Sequence, residues 1–131
     1  MTTVVKRLLI GALFAASISC GSSGGGGAGN SSGVPRSSTI ASLTTTQSAT
    51  LCDWEDAKQG GYGRTVTCTD GSTRTTDTNQ AECIAGMGYA KTLCPTLTVA
   101  DVEDCANAIG ANLCEISTDP ACANLAACLG Y

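Results

Sequence analysis

The nine cysteines are the residues best equipped for chemistry in this 131-residue chain, which has no histidine. Eight of them, Cys52, Cys68, Cys83, Cys94, Cys105, Cys114, Cys122 and Cys128, occupy the C-terminal part, while Cys20 stands alone upstream. No two are separated by only two residues, which argues against a CxxC redox site and against the close pairs of zinc ribbons. Without histidine the commonest general base and the commonest metal ligand are also missing. The expected chemistry of the eight is disulfide formation. If Cys122 and Cys128 share a helix, about 9 Å of rise separates them. That exceeds the roughly 7 Å limit for a bridge, so each is expected to pair elsewhere. An antiparallel pair of final helices would suit nested bonds Cys105–Cys128 and Cys114–Cys122. The pairing of Cys52, Cys68, Cys83 and Cys94 stays open.

Two acidic clusters, Asp53, Glu55, Asp56 and Asp101, Glu103, Asp104, invite comparison with the paired carboxylates of glycoside hydrolysis. Each fits the flank of a helix, and the second occupies a first turn, where the helix dipole favours anions. Both are read as solvated faces. Asp70 to Glu82 is not a calcium loop, because Arg74 and Thr76 fall where ligands and the required glycine belong. There is no GxSxG, HExxH or Cys–His pair. No catalytic residue, cofactor or metal is expected, and the chain is read as a non-enzyme. Residues 43–131 hold all 11 acidic residues and four of the seven basic ones, a net charge of −7. That sign repels phosphates, so nucleic acid is not an expected partner.

The elements that must position the cysteines are short. From residue 43 onward there are 13 Leu, Ile and Val residues and no Phe among 89 positions. So thin a core needs covalent staples. Thr44 and Gln47 have capping-box spacing for a helix to about Lys58, stopped by Gly60-Gly61. Trp54 is expected to plug the core. Tyr62 to Thr75 reads as a β-hairpin with a two-residue type I′ turn at Asp70-Gly71. Val66 and Cys68 should face inward and Thr65, Thr67 and Thr69 outward. Asn79 and Glu82 cap a second helix ending at Cys94-Pro95. Thr98 and Asp101 cap a third, with Val102, Cys105, Ala106 and Ile109 inward. Asp119-Pro120 opens a last helix to Leu129, with Cys122, Leu125, Ala126 and Leu129 inward. The fold class expected is a small, disulfide-rich, mainly α domain of about four short helices with one β-hairpin, over residues 43–131.

Upstream, Lys6 and Arg7 precede the apolar run Leu8 to Ala16, too short to span a bilayer. Residues 1–19 therefore read as a signal peptide. Ser17-Ile18-Ser19-Cys20 resembles the lipobox of bacterial prolipoproteins, with Ser17 where that family most often has leucine. The resemblance implies cleavage before Cys20, lipidation of its sulfur and, because Gly21 rather than aspartate follows, the outer membrane in a Gram-negative host. Cysteine parity agrees: with Cys20 acylated, the remaining eight can all pair. Residues 21–42 have the Gly- and Ser-rich composition of a flexible tether. Their GGGG run lacks the GxxxxGK[ST] pattern of a phosphate loop. The mature domain loosely resembles small cysteine-rich envelope lipoproteins. The expected function is a lipid-anchored, non-catalytic binding or structural module with a protein or cell-wall partner. The alternative is a secreted or surface-displayed inhibitor or effector.

Overall fold

Threonine and asparagine caps set the helix starts. The computed structural model describes residues 29–130, so the leader and Cys20 lie outside the described residues. The first helix, α1, spans Thr45–Gln59. Thr44 Oγ1 accepts from the Gln47 N–H at 3.2 Å, and the Gln47 side chain accepts from the Thr44 N–H at 3.0 Å. Both bonds satisfy donors that helix geometry leaves orphaned. Gly60 ends the helix at φ +97°, a conformation that only glycine adopts at low cost. Strands β1 (Thr65–Thr67) and β2 (Thr73–Thr75) pair antiparallel, with Val66 opposite Arg74. Helix α2 spans Gln80–Leu93 behind the Asn79 cap, and α3 spans Val99–Ile109 behind the Thr98–Asp101 capping box. Helix α4 spans Ala123–Leu129. Single 3₁₀ turns occupy Ile40–Ser42, Leu113–Glu115 and Pro120–Cys122. The fold is small, disulfide-rich and mainly α-helical, with one two-stranded hairpin among the described residues.

The hairpin loop departs from the expected two-residue turn. The Cys68 N–H bonds the Ser72 carbonyl, and the Gly71 N–H bonds the Cys68 carbonyl. The loop is therefore three residues, 69–71, with Gly71 at φ +82°. Asp70 stabilises it by accepting from the Ser72 N–H at 2.9 Å and hydroxyl at 2.7 Å, an Asx-type local bond. Val66 and Cys68 are half-buried and the flanking threonines exposed, as alternation predicts.

The core joins Leu51, Cys52 and Trp54 of α1 to Cys83 and Met87 of α2, Val102, Cys105 and Ile109 of α3, and Leu125 of α4. Leu129, expected inward, is 42% exposed. Leu129 is the last residue of α4 and lines a cavity instead of closing into the core.

All eight downstream cysteines are paired: Cys52–Cys83, Cys68–Cys114, Cys94–Cys128 and Cys105–Cys122. The expected nested bonds Cys105–Cys128 and Cys114–Cys122 are corrected. Cys114 sits in the 3₁₀ turn Leu113–Glu115, which packs on the hairpin rather than on α4. Arg64 helps to hold it there, donating to the carbonyls of Gln59 at 2.6 Å and Ala111 at 2.5 Å. Cys122 then meets Cys105 at a Cα separation of 4.4 Å, and Cys128 reaches Cys94 at the end of α2. Cys122 and Cys128 do pair elsewhere, as the rise along a helix requires.

Residues 29–42, read from composition as part of a tether, form an ordered strap. Ile40 is 1% exposed and Val34 5%. The Ile40 N–H bonds the Leu97 carbonyl at 2.7 Å, and Thr39 bridges Thr98 as an isolated antiparallel pair. Trp54 Nε1 donates to the Gly29 carbonyl at 2.6 Å. Serine supplies bonds here rather than looseness: Ser31 Oγ and the Ser32 N–H both donate to Glu103.

Candidate functional site

Helical spacing buries two acids that were expected in water. Asp56 lies four residues after Cys52, and Glu103 four after Val99, each on the inward face of its helix. Asp56 is 3% exposed and Glu103 is fully buried. Asp56 and Glu103 are thereby corrected from solvated to interior positions, Glu55 and Asp101 are half-buried, and Asp53 and Asp104 are exposed as expected.

Glu103 is fully bonded. Arg36 Nη1 donates to its Oε2 at 2.8 Å while Ser31 and Ser32 satisfy Oε1. Desolvation pushes this carboxyl up, but the bonds from Ser32, Arg36 and Ser31 outweigh it and hold its pKa below the ordinary value. Its role is to fasten the strap. Asp56 is different, because its buried Oδ1 has no hydrogen-bond partner. A buried polar atom without a partner costs about 1–3 kcal/mol and calls for an explanation.

Its neighbours Asp77 and Cys83, though not Asp56 itself, line a cavity of about 320 Å³. The cavity is bounded by buried apolar side chains, including Ile40, Met87, Leu97, Val102, Leu113 and Leu125, and by the half-buried Glu55, Gln59, Arg74 and Asp77. The polar groups thus occupy the solvent side and the apolar groups the depth. Carboxylate oxygens of Asp56 and Asp77 and the Cys83 sulfur lie within 4.8 Å of one another. Cys83 is bonded to Cys52, so it offers no thiolate, and two carboxylates alone are a poor metal cage. Burial, and then Asp56 and Asp77, raise the Glu55 pKa to about 7. Burial, and then Asp77 and Asp53, raise that of Asp56 to about 6. Burial and Glu82 raise that of Asp77. The Gln59 amide donates to Glu55 at 3.2 Å.

A second hollow of about 390 Å³ surrounds the Cys94–Cys128 bridge. Asn124 there donates to Asp101 at 2.7 Å. The eight cysteines expected to pair hold the walls of the first cavity together, and Cys83 itself lines it. Asp77 was missed in the sequence because it belongs to no cluster there. The signal for Asp56 was its position one turn beyond an inward cysteine.

Comparison with known proteins gives no match to a protein-family model, a curated protein or a solved structure.

Proposed function

We propose that this chain is a bacterial envelope lipoprotein, anchored through acylated Cys20, whose disulfide-stapled domain is a non-catalytic binding module for a small, mainly apolar molecule. The observation that carries the binding reading is the cavity: about 320 Å³, apolar in its depth and edged by a few polar groups, the usual anatomy of a small-molecule site. The address rests on the leader and on parity. All eight downstream cysteines are committed in pairs, which leaves Cys20 as the odd thiol for a lipid. Gly21 favours the outer membrane by the same resemblance. Among the described residues no helix is long and apolar enough to cross a membrane, so attachment in this reading is by the anchor.

The test is the intact mass of protein extracted from membranes. A chain beginning at Cys20, carrying an acyl adduct and lacking four pairs of hydrogens, is the expected result. An unmodified chain beginning at Cys20 in the medium would replace the lipoprotein reading with secretion. The binding reading is tested separately, by calorimetry with single-chain amphiphiles.

A further inference from the structure

The four bridges differ in what can reach them. Cys52–Cys83 and Cys105–Cys122 lie in the core, with none of their cysteines more than 5% exposed. Cys68–Cys114 and Cys94–Cys128 are half-buried. Of these two, Cys94–Cys128 borders the hollow of about 390 Å³, whereas neither hollow described above is lined by Cys68 or Cys114. That hollow reaches the surface, because Leu93, Pro95, Thr96 and Ala127 also line it and are exposed. A thiolate therefore has room to approach this bridge, and access is one of the factors that set the rate of thiol–disulfide exchange.

What the bridge holds is the end of α4. That helix has seven residues, too few to stay helical alone in water. Its start is pinned to α3 by the core bond Cys105–Cys122, and Leu125 and Ala126 are buried. Past Ala126 no described residue is buried. The bond from Cys128 to Cys94 is the covalent tie that keeps this end on the C-cap of α2. The same two helices share a wall of the larger cavity, which Leu125 and Leu129 line together with Gly86, Met87 and Ala90.

We propose that Cys94–Cys128 is a site of thiol–disulfide exchange, reduced by a dithiol, and that its reduction releases the end of α4 from α2. One thiolate of the dithiol attacks a bridge sulfur, and the other bridge sulfur leaves as a thiolate and takes up a proton. The second thiolate of the dithiol then displaces the first cysteine from the mixed disulfide. The protein S–S bond and the two S–H bonds of the dithiol are broken. Two cysteine S–H bonds and the S–S bond of the oxidised dithiol are formed. The core bridges Cys52–Cys83 and Cys105–Cys122 keep α1, α2 and α3 together, so α4 swings from its start and the cavity opens along Leu125 and Leu129. That opening rests on the binding-module reading; the exchange site does not.

The experiment is stepwise reduction of the oxidised full chain carrying Cys20→Ser, a change that removes the one thiol able to attack the bridges from within. Dithiothreitol is added in increasing amounts, freed thiols are blocked with iodoacetamide, and peptides are mapped by mass. The expected result is alkylation of Cys94 and Cys128 at least ~10-fold faster than of any other pair. In the form with two blocked cysteines, amide exchange at Ala123–Leu129 should quicken by at least ~10-fold while α1 and α3 stay unchanged. Cys94→Ser with Cys128→Ser should show the same local loosening without reductant, and retention of three disulfides by intact mass controls for its folding. The neutral dye N-phenylnaphthylamine should enter the reduced form faster than the oxidised one. Alkylation first at Cys68 and Cys114 would overturn the site. Exchange in α4 as slow as in the oxidised protein would overturn the release, and equal dye entry into both forms would overturn the opening. Dye binding to neither form, with the first two results as expected, would remove the binding module and leave the exchange site standing.

Discussion

The Ser32 amide donates to the fully buried Glu103 carboxylate at 2.6 Å across 71 residues of sequence. With Ser31 and Arg36, it makes a carboxylate the anchor of the N-terminal strap. Such charge-assisted bonds are stronger than neutral ones. Glu103→Gln keeps the volume and loses the charge, so it should destabilise the oxidised domain by about 1–3 kcal/mol in denaturant titration. Because Arg36 loses its buried partner, trypsin should cut after residue 36 faster than in the parent. Unchanged cleavage would show that the strap is fastened by Ile40 and Val34 alone.

The two α1 acids and the acid under the strap pull stability in opposite directions. Glu55 and Asp56 have raised folded-state values, about 7 and about 6. Their stabilising contribution is complete below their unfolded values and is lost as pH rises through the folded ones. Glu103 is depressed, so its contribution exists above its unfolded value and disappears as pH falls through the folded one. Thermal stability of the ligand-free protein should therefore peak near pH 5 and decline by roughly 2–3 kcal/mol toward pH 8. Glu55→Gln with Asp56→Asn should flatten the alkaline side. A curve that rises from pH 5 to 8 would contradict the buried carboxyl arrangement.

Two adjacent glycines offer a controlled comparison. Gly60 and Gly61 both have positive φ, +97° and +101°. A Cβ on Gly60 would come within 2.8 Å of Arg64 Cδ, whereas one on Gly61 would meet nothing within 4 Å. Gly61→Ala should cost only backbone strain, about 1 kcal/mol. Gly60→Ala should cost about 2–3 kcal/mol, because it also displaces the guanidinium that bonds Gln59 and Ala111. Equal losses for the two, measured by chemical denaturation, would place no weight on Arg64.

Non-reducing peptide mapping should recover a fragment joining Cys68 to Cys114. That bond closes a separation of 46 residues, and in the chain-entropy account such a loop is worth about 4 kcal/mol. The double change Cys68→Ser with Cys114→Ser should release the hairpin first, seen as faster amide exchange at Thr65–Thr75 than in α1 or α3. A Cys114–Cys122 fragment in the native protein would overturn the framework described here.

Much of the fold was legible because the helix caps are written in side chains. Thr44 with Gln47 and Thr98 with Asp101 form both halves of their capping boxes. The stripe Val102, Cys105, Ala106, Ile109 is buried throughout. The disulfide partners were not legible, since pairing is decided by how elements pack. Nothing local announces that the turn at Leu113–Glu115 leaves α4 for the hairpin. The strap was hidden by composition: Ser31 and Ser32 resemble linker residues until Glu103, distant in sequence, accepts hydrogen bonds from the Ser31 hydroxyl and the Ser32 N–H. The buried acids were not read correctly: Asp56 was expected in water although its offset of four from Cys52 put it on the inward face, and Asp77 needed the tertiary fold to bring it beside Asp56.

The strap also sets a length. Only residues 21–28 separate Cys20 from Gly29 in the sequence. Even pulled straight, that stretch spans at most about 30 Å, against roughly 80 Å had order begun at Leu43. In the proposed lipoprotein the domain stays within about one hydrocarbon thickness of its bilayer. The chain departs from the pole where Gly29 meets Trp54 and Asn30 meets Lys58 and Asn107. In that reading the leash attaches at this pole, so the faces of the domain are not equally free to meet the headgroups.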